Sequence, residues 1–273
     1  MSDPRLIEGP VVRHAPRPQT AIVVFLIYLA LFYGVWIVTG VDYETIGDSA
    51  GHLLKWYVAP TWVGGLFLII AVSWLGWWRP VLFEKERAQP RWILLAPAFA
   101  VVTLVVLALT ADFSGSTGAM FAALFLGSIG VGVAEEVSTR GVLITGFRAR
   151  LTEPWVWFYS CLLFGLLHLP NWVFGAGPGA VGQVLMAFGA GSTFYLLRRV
   201  SGTLIWAMVL HAAWDFVTIG GDLPGGVGAL VIVNSILGLV VGIVFLRRQR
   251  GQMVEQAGVP TAAAGGSARV SAD

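Results

Sequence analysis

Charge is scarce in this chain. Asp, Glu, Lys and Arg make up 12% of its 273 residues, while 57% are hydrophobic. Soluble domains carry about 25% charged residues, so the shortage excludes an ordinary water-exposed domain and points to the membrane class. Cysteine is all but absent. The lone Cys161 excludes an intrachain disulfide and, set in an apolar run, reads as small core filler. Long basic tracts are lacking as well: the 17 Lys and Arg come in short clusters between apolar runs. That pattern suits juxtamembrane charge and gives no sign of a nucleic-acid partner. No internal repeat is clear enough to argue a duplicated transporter fold, and the glycines form no phosphate loop.

What the chain does have is long apolar runs. A hydrocarbon core of about 30 Å needs about 20 apolar residues in a helix. Runs at 20–40, 60–78, 91–111, 118–147, 154–173, 180–199, 202–220 and 226–246 predict an all-α integral membrane bundle of about eight spans. Pro60, Pro80, Pro90, Pro154, Pro178, Gly202 and Pro224 mark boundaries. Residues 1–19 read as a cytoplasmic N-terminal segment, 20–250 as the polytopic membrane domain, and 251–273, rich in Ala, Gly and Ser, as a disordered tail. No small-residue cleavage site closely follows the first run, so an uncleaved first span is expected.

Charge placement tests this division independently. With a cytoplasmic N-terminus, every one of the 17 basic residues except Lys55 and Arg140 falls on the inner side. The outer loops carry Asp42, Glu44, Asp48, Asp112 and Asp222 instead. So strong a positive-inside bias predicts both termini cytoplasmic, in a cell membrane, most simply a bacterial plasma membrane. Trp77, Trp78, Trp92, Trp155 and Trp157 at inner ends, with Trp62 and Trp172 at outer ends, fit an aromatic belt. Residues 52–58 are expected as a short interfacial helix with His52 and Lys55 solvated. Gly127, Gly130, Gly132, Gly182 and Gly189 are expected to permit close helix contact.

Few ionisable residues fall inside the spans: Glu135, Glu136 and Arg140 in the fourth, His168 in the fifth, His211 and Asp215 in the seventh. At a rise of about 1.5 Å per residue, Glu135, His168, His211 and Asp215 lie roughly 15–21 Å from the inner ends, in one layer. Intramembrane charge costs a few kcal/mol per group and marks function. Glu136 and Arg140 are i and i+4, the favourable order for an ion pair. Glu135 points about 100° away and is free to act as a general base on water. A single structural ion cluster is the plainer reading of the same residues. His211 and Asp215 are also i and i+4, and Pro170 predicts that the helix carrying His168 ends or kinks there.

The segments EEVSTR (135–140), FGLLH (164–168) and HAAWD (211–215) resemble, in order and spacing, the EExxxR, FxxxH and HxxxN/D pieces of the CPBP intramembrane proteases. That family includes the type II CAAX prenyl endopeptidases, and the likeness spans about 118–220. The resemblance implies an eight-helix peptidase acting on a membrane peptide or protein, prenylated or not, near the cytoplasmic leaflet. It implies that Glu135 and His168 activate water, that His211 and Asp215 stabilise the oxyanion, and that Glu136, Arg140 and Phe164 position the site. Asp215 stands where the prenyl endopeptidases usually carry asparagine, so it must be protonated or orient His211. Two His and carboxylates could hold Zn²⁺, but there is no H-E-x-x-H helix, and a site without cofactor or metal is expected. A proton-coupled transporter built on the same Glu, His and Asp, and a non-catalytic scaffold or immunity protein of the same fold, are the competing functions.

Overall fold

The computed structural model describes residues 12–256. Among them no strand forms, and eight principal helices occupy the runs read from the sequence: α1 (Pro18–Thr39), α2 (Ala50–Leu75), α3 (Arg91–Thr110), α4 (Gly118–Phe147), α5 (Glu153–Phe174), α6 (Gly179–Ser201), α7 (Ile205–Gly220) and α8 (Gly228–Gln256). All but α7 are long and apolar enough to cross a membrane. The chain is therefore an all-α, multi-pass membrane protein. α8 runs past Gly251 to Gln256, so the expected tail does not begin at 251; residues 1–11 and 257–273 lie outside the described residues.

α7 begins three residues later than its expected span at 202. Gly202 takes a left-handed φ of 79° and ends α6. The next residues then pair with the segment after α2 rather than with helix: the Leu204 N–H donates to the Leu82 carbonyl at 2.8 Å, and the Glu84 N–H to the Gly202 carbonyl at 3.0 Å.

Residues 52–58 are not a separate interfacial helix. They form a π-turn, Leu53–Val58, continuous with the rest of α2, and bury Leu53, Trp56 and Tyr57. Pro60 fails to break the helix there for a local reason. A proline orphans the carbonyl four residues back and crowds it. Here that carbonyl, on Trp56, accepts the Trp36 indole N–H at 2.7 Å, and the wider turn leaves space for the ring.

Two tryptophans assigned to the aromatic belt pack inside instead. Trp77 is fully buried and donates to the His14 carbonyl at 2.6 Å, and Trp157 is buried with its indole on Ser192 Oγ at 2.9 Å. α4 packs along α7, and α6 lies between α5 and α8. Gly132 is what lets α4 approach α7: a Cβ there would sit 2.6 Å from the Met208 carbonyl and 2.9 Å from Ala212 Cβ. Gly182, by contrast, has nothing within 4 Å and permits no contact.

The basic end of the bundle is more than a ring of solvated charge. The carboxylate of Glu84, nearly buried, pairs with Arg198 at 2.6 Å and Arg148 at 3.0 Å. Glu153 pairs with Arg148 and Arg199, each at 2.6 Å, and accepts from the Tyr195 hydroxyl at 2.7 Å. Burial alone would raise the Glu84 carboxyl, but Arg198, Arg148 and Arg199 outweigh it and hold it below the ordinary value. Its contribution to stability is present above the unfolded-state value and is lost as pH falls through the folded one.

Glu84→Ala, which strands the fully buried Arg198, is expected to cost about 3–5 kcal/mol, read as a lowered melting temperature in detergent. Glu84→Gln should also flatten the wild-type loss of thermal stability on acidification. Gly132→Ala should cost about 1–3 kcal/mol by overpacking, whereas Gly182→Ala is expected to be neutral or stabilising by up to about 1 kcal/mol.

Candidate functional site

The fourth helix changes geometry within its polar stretch. Gly118–Glu136 is α-helical, and Val137–Leu143 is a π-helical segment. Such insertions widen the turn and recur at functional sites. The Ser138 and Thr139 hydroxyls both donate back to the Glu135 carbonyl, at 2.9 and 2.5 Å, so the junction is held by its own side chains.

Arg140 is wholly buried, and its Nη1 donates to Glu136 Oε1 at 2.9 Å and Thr139 Oγ1 at 2.8 Å. Its guanidinium lies 3.7 Å from the centroid of the Phe164 ring, a cation–π contact in a desolvated setting. Gly191 leaves room for this: a Cβ there would come within 2.7 Å of Arg140 Nη2. The expected Glu136–Arg140 pair therefore forms, with Phe164 as its platform.

The same Glu136 oxygen accepts from a second cation-capable group. Nδ1 of His211 lies 3.0 Å from Glu136 Oε1, so that nitrogen carries the proton. The Phe194 ring stacks on the imidazole, 4.9 Å between centroids and 18° between planes. The free Nε2 lies 3.9 Å from Glu135 Oε2 and 3.9 Å from Asp215 Oδ1. One histidine thus stands between the two glutamates and Asp215. A proton on that second nitrogen would make the ring a cation, balanced by carboxylates on three sides.

His168 occupies the break in α5. The α-helical part ends at Leu166, and a 3₁₀ turn, Leu169–Phe174, follows with Pro170 in its first turn. Nδ1 of His168 donates to the Phe164 carbonyl at 3.0 Å, which leaves Nε2 as an acceptor in the neutral ring. The Phe164 ring stands nearly perpendicular to both imidazoles, 5.5 Å from His168 and 5.7 Å from His211 between centroids.

A cavity of about 830 Å³ reaches this layer, and Glu135, His168 and Asp215 all line it. Glu135 is only 6% exposed, and its Oε2 has no hydrogen-bond partner. His211 does not line the cavity; it sits behind Glu135 and Asp215. The structure thus brings together on adjacent helices the acid, the two histidines and the aspartate singled out in the sequence. Glu135 and His168 share a cavity wall rather than a direct ion pair.

Several contributors were not singled out in the sequence. The Tyr57 hydroxyl lies 3.5 Å from Asp215 Oδ2 and 3.1 Å from Ser128 Oγ. Tyr33 reaches the Leu167 carbonyl and lies 3.2 Å from Asn171 Oδ1, tying α1 to the break at His168. Asn171 continues to Gln183 at 2.9 Å, and Gln183 to Tyr43 at 2.8 Å. Arg198 donates to the carbonyls of Val81 and Pro80, at 3.0 and 2.8 Å, and to that of Arg140 within the π-helical segment. Only the run of tyrosines and tryptophans in residues 28–57 hinted at the first of these. Arg198 looks in sequence like any juxtamembrane charge. Among the described residues no three His, Cys, Asp or Glu side chains converge as a metal-ligand set, and Cys161 is free and buried.

Residues 116–217 match the family described as Type II CAAX prenyl endopeptidase Rce1-like. That stretch holds Glu135, Glu136, Arg140, Phe164, His168, His211 and Asp215. Comparison with curated proteins finds no match.

Removing Arg140 leaves Glu136 buried without its cation, so Arg140→Ala is expected to lower stability by about 3–5 kcal/mol. Arg140→Lys should rescue little of that loss, because an ammonium offers no flat face to Phe164. Thermal unfolding of the purified variants in detergent reads both.

Proposed function

We propose that this chain, which over residues 116–217 belongs to the type II CAAX prenyl endopeptidase-like family, hydrolyses a peptide bond of a membrane-associated substrate with water activated between Glu135 and His168. Membership supports a CAAX-type intramembrane endopeptidase in general. The observation that carries the finer reading is the buried Glu135 carboxylate, whose Oε2 makes no hydrogen bond and which lines one cavity with His168, a ring whose Nδ1 is taken up by the Phe164 carbonyl. An acid without a hydrogen bond, sharing a cavity with an imidazole that can accept a proton, suits general-base hydrolysis.

The water oxygen attacks the carbonyl carbon of the scissile bond, and its proton passes to Glu135, with His168 Nε2 as the second acceptor. The tetrahedral oxyanion forms beside Asp215, whose protonated form donates to it. The C–N bond then breaks as the proton held by Glu135 moves to the leaving amine. His211, fixed by Glu136, positions Glu135 and Asp215 and supplies compensating charge. Glu136, Arg140 and Phe164 hold His211 and the helix in register. No metal takes part in this scheme.

Purified protein in detergent or nanodiscs should cleave membrane-anchored peptides. Glu135→Ala is expected to lower turnover by about 10²–10⁴-fold with its melting temperature retained, and His168→Ala to do likewise. Asp215→Asn should keep most of the activity and Asp215→Ala lose it. Turnover should persist after dialysis against EDTA; a loss that Zn²⁺ restores would replace this mechanism with a metal-assisted one. Full cleavage by a folded Glu135→Ala protein would end the assignment. Proton flux through the wild type in liposomes, abolished by Glu135→Gln and without any cleavage, would favour a transporter.

A further inference from the structure

The two ends of the bundle carry opposite charge. One holds the ion network of Glu84, Arg148, Glu153, Arg198 and Arg199. The other holds Asp42, Glu44 and Asp48 between α1 and α2, Asp112 between α3 and α4, and Asp222 between α7 and α8. Lys55 is the one Lys or Arg near that end among the described residues.

The cavity opens at the acidic end. Its wall includes Glu44, Asp48, Asp112 and Asp222 from the loops there, continuing inward to Asp215 and Glu135, and no Lys or Arg lines it. Two of the mouth acids sit on backbone that is tied in place: the Asp112 N–H donates to the Asp222 carbonyl at 2.9 Å and the Asp222 N–H to the Asp112 carbonyl at 3.0 Å. The Ser114 N–H, 2.8 Å from Asp112 Oδ1, holds that carboxyl below its ordinary value, so it stays charged. At the far end of the same cavity the buried Glu135 Oε2 makes no hydrogen bond, and the nearest basic group, His211 Nε2, stands 3.9 Å away. A concave wall of one sign, backed by apolar protein, focuses its field and draws counter-charge inward.

We infer that the cavity admits a positively charged peptide segment through its acidic end, so that substrate reaches Glu135 from the side opposite the arginine-rich end. The inference rests on the hydrolytic reading above for what happens next, but not for what binds. With the arginine-rich end cytoplasmic, entry is from outside the cytoplasm. This departs from the cleavage beside the cytoplasmic leaflet that the family resemblance implies. An anionic segment would meet the same field as a barrier.

Binding separates access from chemistry. In the Glu135→Ala protein in nanodiscs at low salt, a fluorescent Lys/Arg-bearing peptide is expected to bind at least about ten-fold tighter than an acidic peptide of equal length. The gap should shrink as salt rises. It should fall to under about three-fold when E44Q, D48N, D112N and D222N are combined in that background. Equal binding, or preference for the acidic peptide, overturns the inference even if the wild type proves to be a protease. Tight cationic binding with no wild-type cleavage keeps the inference and sinks the hydrolytic reading.

The direction of entry has its own readout, which needs no purified variant. Ser116→Cys, at the mouth, should be labelled in intact cells by a membrane-impermeant maleimide. Ala149→Cys, at the arginine-rich end, should be labelled only after lysis. The parent chain, whose lone cysteine is buried, serves as the blank, and the reverse labelling pattern refutes entry from outside.

Discussion

The fold and the site both depend on one buried ion pair, Glu136 with Arg140. Two charges out of water attract strongly but lose hydration, and the balance closes only when the remaining hydrogen-bonding capacity is used. Here one carboxylate oxygen serves both Arg140 and His211 and the guanidinium lies on Phe164, but Glu136 Oε2 and Arg140 Nε and Nη2 make no hydrogen bond, so the pair is held at a cost. The pair thereby joins α4 to α5 through a ring and to α7 through an imidazole. The other polar side chains of the site are placed relative to it: Glu135 by being next in sequence on a helix the pair immobilises, Asp215 by being one turn beyond His211.

The wider architecture keeps that pair dry and leaves the neighbouring Glu135 at the wall of a cavity. Toward the arginine-rich end the π-helical segment is backed by Arg198, which takes up the Arg140 carbonyl together with those of the segment after α2. Toward the acidic end, the break in α5 and the side chains of α1 leave a cavity instead of packed core. An imidazole on a helix terminus and an acid on a helix interior can then face a common space, which two unbroken helices in close contact could not provide.

Much of this was legible in the sequence because membranes enforce simple rules. Length and hydropathy placed the helices to within about three residues, except that α2 starts ten residues before the expected 60 and α8 ends ten after the expected 246, and the polar intruders in the spans pointed at α4, α5 and α7. The i,i+4 spacing of Glu136 and Arg140 was enough to foresee their pairing. What escaped depends on partners distant in sequence. Residues 52–58 looked interfacial because Pro60 reads as a helix start, and only the indole of Trp36 on another helix makes a continuous turn tolerable. Trp77 and Trp157 looked like belt residues because position along a span does not tell lipid-facing from inward-facing. Gly182 resembled Gly132 in composition and differs only in having no neighbour. For His211, spacing gave its companion Asp215 but not the hydrogen bond to Glu136, so its place behind the cavity wall could not be foreseen.

The sharing of Glu136 has a consequence for biogenesis. Arg140 lies on the same helix as Glu136, so that negative charge is neutralised as soon as α4 forms. Glu135 enters the bilayer without a counterpart, at a cost of about 2.5–3.5 kcal/mol on insertion scales. His211, which sits 75 residues after Glu136, is made roughly 4–15 s later at ordinary rates of translation. During that interval Glu135 lacks the imidazole that stands 3.9 Å from it in the finished fold, and the late arrival of α7 is what completes the polar cluster.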